Sequence, residues 1–357
     1  MSIAMLCHAG PGGSSRVALR LAEALEYRGH RLSVVPGGPW STMLEPTWDD
    51  WRLAQLERRV EAVVRENDVQ VLHYHYAWPF AHLVAGLKRR LGSAAPLFVG
   101  TLHGTDVTHP PGAGEIAALR HTDVWTTVSA PYAALAHERL RLGRPPAVIP
   151  NFLGAAAFPE SADFTEPPAG GRRPRLVHVS NFRPVKDPQG VAHIFTAVRE
   201  HLDAELWLIG DGPELPQVMS AVRRAGLERD VRVLGYRADV GRLLAECDIL
   251  VMSSLEESFC LAALEAMAAG LTVVGTAVGG FAELAEHERT AMLYAPRDYA
   301  TAARLVCRLL TDHPLRLALR RAAAERARTF SAAAAVERYE AVYRPALVRT
   351  GVSSAAH

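Results

Sequence analysis

Two glutamates, Glu257 and Glu265, stand at either end of Glu257-Ser-Phe-Cys-Leu-Ala-Ala-Leu-Glu265, the first in a loop and the second about two turns into the helical run that follows. Carboxylates near a helix N-terminus stay ionised and accept hydrogen bonds from sugar and ribose hydroxyls. Glu265 lies between Leu264 and Ala266, which argues against an ordinary charge on a solvated helix face. Upstream, Ser180-Asn-Phe-Arg183-Pro-Val-Lys186-Asp places a guanidinium and an ammonium in a strand-to-helix turn, a pairing suited to a diphosphate. His103 in Thr101-Leu-His-Gly-Thr-Asp106 closes another strand and is placed to touch a ligand; the plainer alternative is that His103 and Asp106 cap the next turn. Near the start, Gly12 and Gly13 in His8-Ala-Gly-Pro-Gly-Gly-Ser-Ser precede a helical run, where backbone can approach an anion closely. A dinucleotide dehydrogenase would need Gly-x-Gly-x-x-Gly and an acidic residue after the second strand, and neither is clear here. His73 and His75 share one strand face, yet no third ligand accompanies them, so no metal centre is expected.

The elements that must hold these residues alternate between short apolar runs and longer amphipathic ones. The spacing predicts strands over 3–7, 31–35, 69–73, 97–102, 124–128 and 147–149, with helices such as 16–28 and 48–66 between them. A second series predicts strands over 176–180, 205–209, 231–234, 248–252 and 272–276, and the last 40 residues are helical in pattern. Such alternation implies an α/β fold of two doubly wound, Rossmann-like parallel sheets, the strands of the first series reading as buried. The expected domains are 1–153 and 176–330, joined by a Pro-, Gly- and Ala-rich linker at 154–175, with 331–357 crossing back as a helix and tail onto the first domain. Ligands in open α/β sheets bind at strand C-terminal ends, so the active site is expected where the two sets of ends face a cleft.

Composition narrows the chemistry. With 39 basic and 38 acidic residues the formal charge is +1, which removes the electrostatic case for a nucleic-acid or anionic-membrane binder. Only Lys88 and Lys186 are lysines against 37 arginines, so each lysine is conspicuous: Lys186 as a point charge at the turn, Lys88 as a solvated helix residue. Hydrophobic residues make up 49% of the 357, enough for two cores. Cys7, Cys247, Cys260 and Cys307 fit neither zinc nor disulfide spacing and read as reduced thiols. Without a basic leader or an uninterrupted apolar run of about 20 residues, the expected setting is cytoplasmic and soluble, with no stable membrane insertion; an oligomer is compatible with the sequence.

Taken together, these motifs resemble the family 4 retaining glycosyltransferases of the GT-B fold. Glu257-x7-Glu265, Lys186, Gly210-Asp-Gly-Pro-Glu214 and Gly12-Gly13 fall in family order across essentially the whole chain. Thr-Leu-His-Gly-Thr-Asp, Val-Ser-Asn-Phe-Arg-Pro-Val-Lys and Ile149-Pro-Asn-Phe152 are similar in detail to the N-acetylglucosaminyl L-malate synthases of bacillithiol biosynthesis. The resemblance implies transfer of N-acetylglucosamine from UDP-N-acetylglucosamine to the hydroxyl of L-malate or a similar small acceptor, with no cofactor beyond the UDP-sugar and no metal. It implies Arg183 and Lys186 on the diphosphate, with Gly12 and Gly13 meeting it from the first domain. Glu265 would take the ribose, Glu257 a hydroxyl of the donor sugar, and His103 the sugar 6-hydroxyl or the region of the anomeric carbon. Phe259, Cys260 and Leu261 complete the donor set, and Ser14, Ser15, Arg16, Thr101 and Asn151 border the acceptor. Two departures stand out: Cys260 replaces the family's glycine and puts a side chain near the donor, and Ser15-Arg16 replaces Gly-apolar beside the acceptor. An aminocyclitol such as 2-deoxystreptamine, or another secondary-metabolite core, is the alternative acceptor. A GT-B epimerase lacks the paired glutamates, and a non-catalytic sugar-nucleotide binder would have lost Lys186, Glu257 and Glu265.

Overall fold

In the computed structural model, which describes residues 1–10, 12–39, 50–109, 112–158 and 172–349, the apolar runs form two six-stranded parallel sheets. The chain divides into two units, one comprising Met1–Gly154 and the residues from Ala332 onward, the other Ala155–Ser331.

The first unit contains β1 (Ser2–Ala9), β2 (Arg31–Pro39), β3 (Val71–His75), β4 (Leu97–Leu102), β5 (Val124–Thr127) and β6 (Ala147–Val148). Their order is β2-β1-β3-β4-β5-β6. The chain leaves β1 for β2 and then returns to the other side of β1, so the loops after β1 and β3 diverge, the arrangement that opens a crevice at the strand C-termini. The helix Gly13–Tyr27 lies against this sheet through Val17, Ala18, Leu21, Ala22 and Leu25, a stripe at helical spacing. Phe80, Phe98, Tyr74 and Trp125 fill the core below. The C-terminal helix Ala332–Arg349 belongs to this unit. Glu340 takes hydrogen bonds from Arg28 at 3.2 Å and pairs with His30 at 3.0 Å, while the fully buried Tyr343 hydroxyl meets His73 Nδ1 at 2.7 Å.

The second unit contains β7 (Arg175–Val179), β8 (Glu205–Ile209), β9 (Val231–Gly235), β10 (Ile249–Met252), β11 (Thr272–Thr276) and β12 (Met292–Tyr294), in the order β12-β11-β10-β7-β8-β9. Here the reversal falls between β7 and β10, so the loops that follow those two strands are neighbours. The core beneath is apolar and continuous, with Leu176, Phe195, Leu206 and Ile249 at its centre.

Several sequence expectations are corrected. The third strand starts at Val71 rather than Val69, because Asp68 adopts φ +46 and the Val69 amide closes the preceding helix on the Val64 carbonyl instead of entering the ladder. The strand Met292–Tyr294 is too short for its periodicity to show. β6 was expected to be buried, but like β9 it is a sheet edge: Ala147, Val148, Arg232 and Val233 are exposed. Lys88 is not simply solvated; its ammonium binds Asp123 at 2.7 Å, tying the helix Phe80–Leu91 to the start of β5. The predicted helix over 48–66 is Asp50–Glu66, with 48 and 49 outside the described residues, as are 159–171 of the expected linker and 350–357 of the expected tail. Among the described residues no helix is long and apolar enough to cross a membrane.

Candidate active site

The strand reversal of the second unit collects most of the expected donor residues. After β7 the chain turns through Ser180–Asp187, with Phe182 and Asp187 at φ +41 and +43. Those turns are held from β10 and its loop: Ser253 Oγ donates to the Asp187 carbonyl at 2.6 Å, and the Leu255 amide donates to the Val185 carbonyl at 2.9 Å. His178 reinforces the join. Its Nδ1 meets the Val251 carbonyl at 2.9 Å and must donate, which leaves Nε2 to accept from Ser180 Oγ at 2.8 Å. Tyr299 holds the far side of the turn by donating to Asp187 Oδ2 at 2.6 Å. None of these supporting residues was singled out from sequence; a histidine in a strand and a serine after one carry no spacing signal.

The result brings Lys186 and Glu257 together. Lys186 Nζ donates to Glu257 Oε1 at 2.8 Å and Ser254 Oγ donates to the same oxygen at 2.7 Å. Glu257 is 5% exposed. Burial works against the Lys186 ammonium, but the adjoining carboxylate outweighs it and holds the Lys186 pKa above the ordinary lysine value. Arg183 lies close enough for its charge to oppose that of Lys186, and it forms no ion pair with a carboxylate among the described residues. Glu257 is thus paired with Lys186 alone, and Arg183 stands near that pair at the strand ends without a carboxylate of its own among the described residues. The helix Leu261–Ala268 begins beside them with no side-chain hydrogen bond capping its N-terminus, and it carries Glu265 on a partly exposed side.

Two donor residues sit differently from the sequence expectation. Phe259 is 3% exposed and packs edge-on against Phe330 at 5.5 Å, so its ring belongs to the core and only its backbone faces the loop. Cys260 does not project toward a donor. It adopts φ +75, which turns the thiol inward to lie 3.4 Å from Met252 Sδ. Burial pushes that thiol pKa well above its usual value, so it is no reactive thiolate. The left-handed backbone explains why glycine suits the position. Cys260→Gly is expected to raise the unfolding free energy by about 1 kcal/mol in urea titration; a fall would mean that the thiol–thioether packing outweighs the relieved backbone.

In the first unit, the remaining candidates lie after β1, in and after β4, and after β6. Gly12 is extended and occupies the N-cap of Gly13–Tyr27 with no side-chain cap. Ser14 and Ser15 are buried in its first turn and Arg16 is partly exposed. Asn151 follows β6 and is 7% exposed. Thr101 departs from its expected place at the acceptor: it is fully buried, and its hydroxyl is engaged by His73 Nε2 at 2.7 Å and Thr126 Oγ1 at 2.6 Å. It holds the sheet rather than a ligand. His103 is partly exposed, and its ring is held by His75 through a 2.9 Å contact between Nε2 and Nδ1.

Asp106 fixes the backbone of that loop. Its fully buried carboxylate accepts from the His103 amide at 3.0 Å, the Gly104 amide at 2.8 Å and the Ala77 amide at 3.3 Å. The turn-capping alternative is thus correct for Asp106, and through it the loops after β3 and β4 are joined. Burial outweighs these amides and raises the Asp106 pKa from 3.8 to about 6. A folded-state value above the unfolded one stabilises the fold fully below pH about 4, and that contribution is lost as pH rises through about 6, a change of up to about 3 kcal/mol. Asp106→Asn is expected to flatten the stability–pH curve across this window; an unaltered slope would assign it to other groups.

Comparison with known proteins agrees with this architecture. The sequence profile described as Glycosyltransferase Family 4 matches residues 11–154, and that described as Glycosyl transferases group 1 matches 173–312. The chain is 31% identical to the N-acetyl-α-D-glucosaminyl L-malate synthase of Bacillus anthracis over 96% of each chain. It is 33% identical to the 2-deoxystreptamine glucosyltransferase of Streptomyces kanamyceticus, over 35% of this chain and 34% of that one. Among solved structures it is similar in fold to the sucrose-phosphate synthase of Thermosynechococcus elongatus, with TM-score 0.80 at 19% identity over 97% of this chain and 99% of that one. Anabaena HepE in complex with UDP and glucose gives TM-score 0.75 at 18% identity, covering 97% of this chain and 100% of that one. With two parallel Rossmann-like sheets and a whole-length relative at this identity, the chain belongs to the family 4 glycosyltransferases and is a glycosyltransferase of the GT-B fold.

Proposed function

We propose that this enzyme moves N-acetylglucosamine from UDP-N-acetylglucosamine to the hydroxyl of L-malate or a similar small acceptor, with retention of configuration. The observation that carries the donor half is the placement of Lys186 at the β7/β10 reversal, held by the buried Glu257 with Arg183 nearby, beside a helix start that no side chain caps. A leaving UDP gathers negative charge on its β-phosphate, and preorganised cations and amide dipoles stabilise that charge as it develops. Glu265 is assigned to the ribose hydroxyls. The Glu257 oxygen not engaged by Lys186 and Ser254 is assigned to a sugar hydroxyl. For retention, the acceptor hydroxyl attacks an oxocarbenium-like carbon on the face that UDP is leaving, and its proton passes to a phosphate oxygen.

The acceptor half rests on the relative from Bacillus anthracis and on charge. Arg16 in the first turn of Gly13–Tyr27 suits the carboxylates of malate and repels the ammonium groups of an aminocyclitol. The Streptomyces kanamyceticus relative keeps 2-deoxystreptamine as the second reading. One assay separates them: UDP-N-acetylglucosamine is supplied with L-malate or with 2-deoxystreptamine, and the product is read by proton NMR. The expected product is an α-glucosaminide of malate. Turnover on the cyclitol alone would replace the acceptor, and a β-linked product would overturn retention.

A further inference from the structure

We propose that His75 locks His103 in the tautomer that carries its proton on Nδ1, so that His103 meets the ligand as a neutral hydrogen-bond donor and does not act as the base for the acceptor hydroxyl. The assignment of His103 to a ligand rests on the function proposed above; the tautomer does not.

The reasoning starts from a counting problem. His75 Nδ1 and His103 Nε2 lie 2.9 Å apart, so one of the two nitrogens carries the proton between them. The other nitrogen of His75, Nε2, is buried and has no hydrogen-bond partner among the described residues; the whole residue is 1% exposed. A neutral imidazole has one N–H and one lone pair. If His75 held its proton on Nε2, a buried N–H would be left with no acceptor, and such orphaned donors are the rarer and costlier defect. With the proton on Nδ1, His75 donates to His103 and only a lone pair goes unmet. His103 Nε2 is then an acceptor, and the proton of its neutral ring sits on Nδ1.

The surroundings support a neutral pair. Burial lowers the His103 pKa to about 3 and that of His75 well below the usual value, and the ring of His73, 4.4 Å from that of His75, adds to the penalty for charge. His73 itself is held at both nitrogens, by Tyr343 and Thr101, so it cannot turn to relieve His75. On the other side, Asp106 pins the His103 and Gly104 amides, which fixes where the ring emerges. Nδ1 of His103 has no protein partner among the described residues, so this N–H is the polar group the ring presents. His75 is therefore a positioning residue. The strand that carries it also carries His73, and the two histidines that resembled a metal pair divide the work, one bracing the sheet and one orienting the loop.

The test is a two-bond ¹⁵N–¹H correlation spectrum of the full-length protein labelled in histidine, with the His103 signals identified by their loss in His103→Asn. Protonated Nδ1 and bare Nε2 are expected for His103; a protonated Nε2 would overturn the proposal whatever the enzyme transfers. In His75→Phe the His103 signals should shift to a mixture of tautomers, which lost packing alone would not produce; an unchanged Nδ1–H pattern would remove His75 from the role. Transfer kinetics then test the donor role. The Asn amide nitrogen falls near the place of Nδ1 and the Gln amide nitrogen near that of Nε2, so His103→Asn should keep at least about a tenth of kcat while His103→Gln loses about 100-fold. Equal loss in both, with the expected spectrum, would leave the tautomer standing and overturn the contact with the ligand.

Discussion

Lys186→Ala is expected to lower kcat for transfer by about 10³-fold or more, roughly 4 kcal/mol of transition-state stabilisation, the scale seen when one preorganised contact to a developing anion is removed. The effect should exceed that of an exposed surface charge because the ammonium is held in place: its 2.8 Å bond to Glu257, itself anchored by Ser254, aims it without a loss of side-chain freedom at the moment of reaction. Removing the lysine also leaves the buried Glu257 carboxylate with only Ser254 as a donor among the described residues, so some loss of stability is expected. The double variant Lys186→Ala/Glu257→Gln separates the two consequences. Its melting temperature should recover toward that of the parent while its activity stays lost. Wild-type turnover in the single variant would sink the assignment of Lys186 to the leaving diphosphate, and recovery of activity in the double variant would show that the single variant had failed through folding.

Gly212→Ala is expected to cost about 3 kcal/mol and to lower the melting temperature of the second unit by roughly 6–12 °C. A Cβ at this position would stand 1.9 Å from the Asn181 carbonyl oxygen and 2.7 Å from its carbon. Both atoms are backbone, so no side chain can swing aside. Asn181 lies in the turn that leads to Arg183 and Lys186, and the same two loops are joined by the Glu214 amide donating to the Phe182 carbonyl at 2.9 Å. The variant should therefore also weaken UDP binding in calorimetric titration, although residue 212 is assigned no contact with the nucleotide. Unchanged melting and affinity together would show that the loop accommodates the methyl group and that Gly210-Asp-Gly212 is no brace for the donor turn.

The legible part of this protein was the part encoded by local pattern. Strand and helix alternation reports burial period, and it placed nearly every strand within two residues. The pairing of a lysine turn with a two-glutamate helix start was also visible, because each half lies within one short segment. What was not legible depends on partners distant in sequence. Cys260 looked like an obstruction to the donor because a side chain had replaced a hydrogen; its direction depends on φ, and φ +75 sends the thiol to Met252. Thr101 looked like a ligand contact because it precedes His103, but strand alternation turns it inward onto His73 and Thr126. His75 carried no more signal than His73, since spacing shows which residues share a face and not which neighbour each ring meets.

The sequence by itself determined the fold class, the two-sheet organisation and the scarcity of lysine that made Lys186 conspicuous, since all three follow from composition and short-range periodicity. Only the tertiary structure decided that Lys186 is paired with Glu257, that Asp106 ties the loop of His103 to the Ala77 amide after β3 and that His75 faces the His103 ring. Those contacts join strands and loops separated by 71, 29 and 28 positions in the chain. Hydrogen bonds of that reach exist only once parallel strands have been laid side by side and the order of the sheet has brought particular strand ends together.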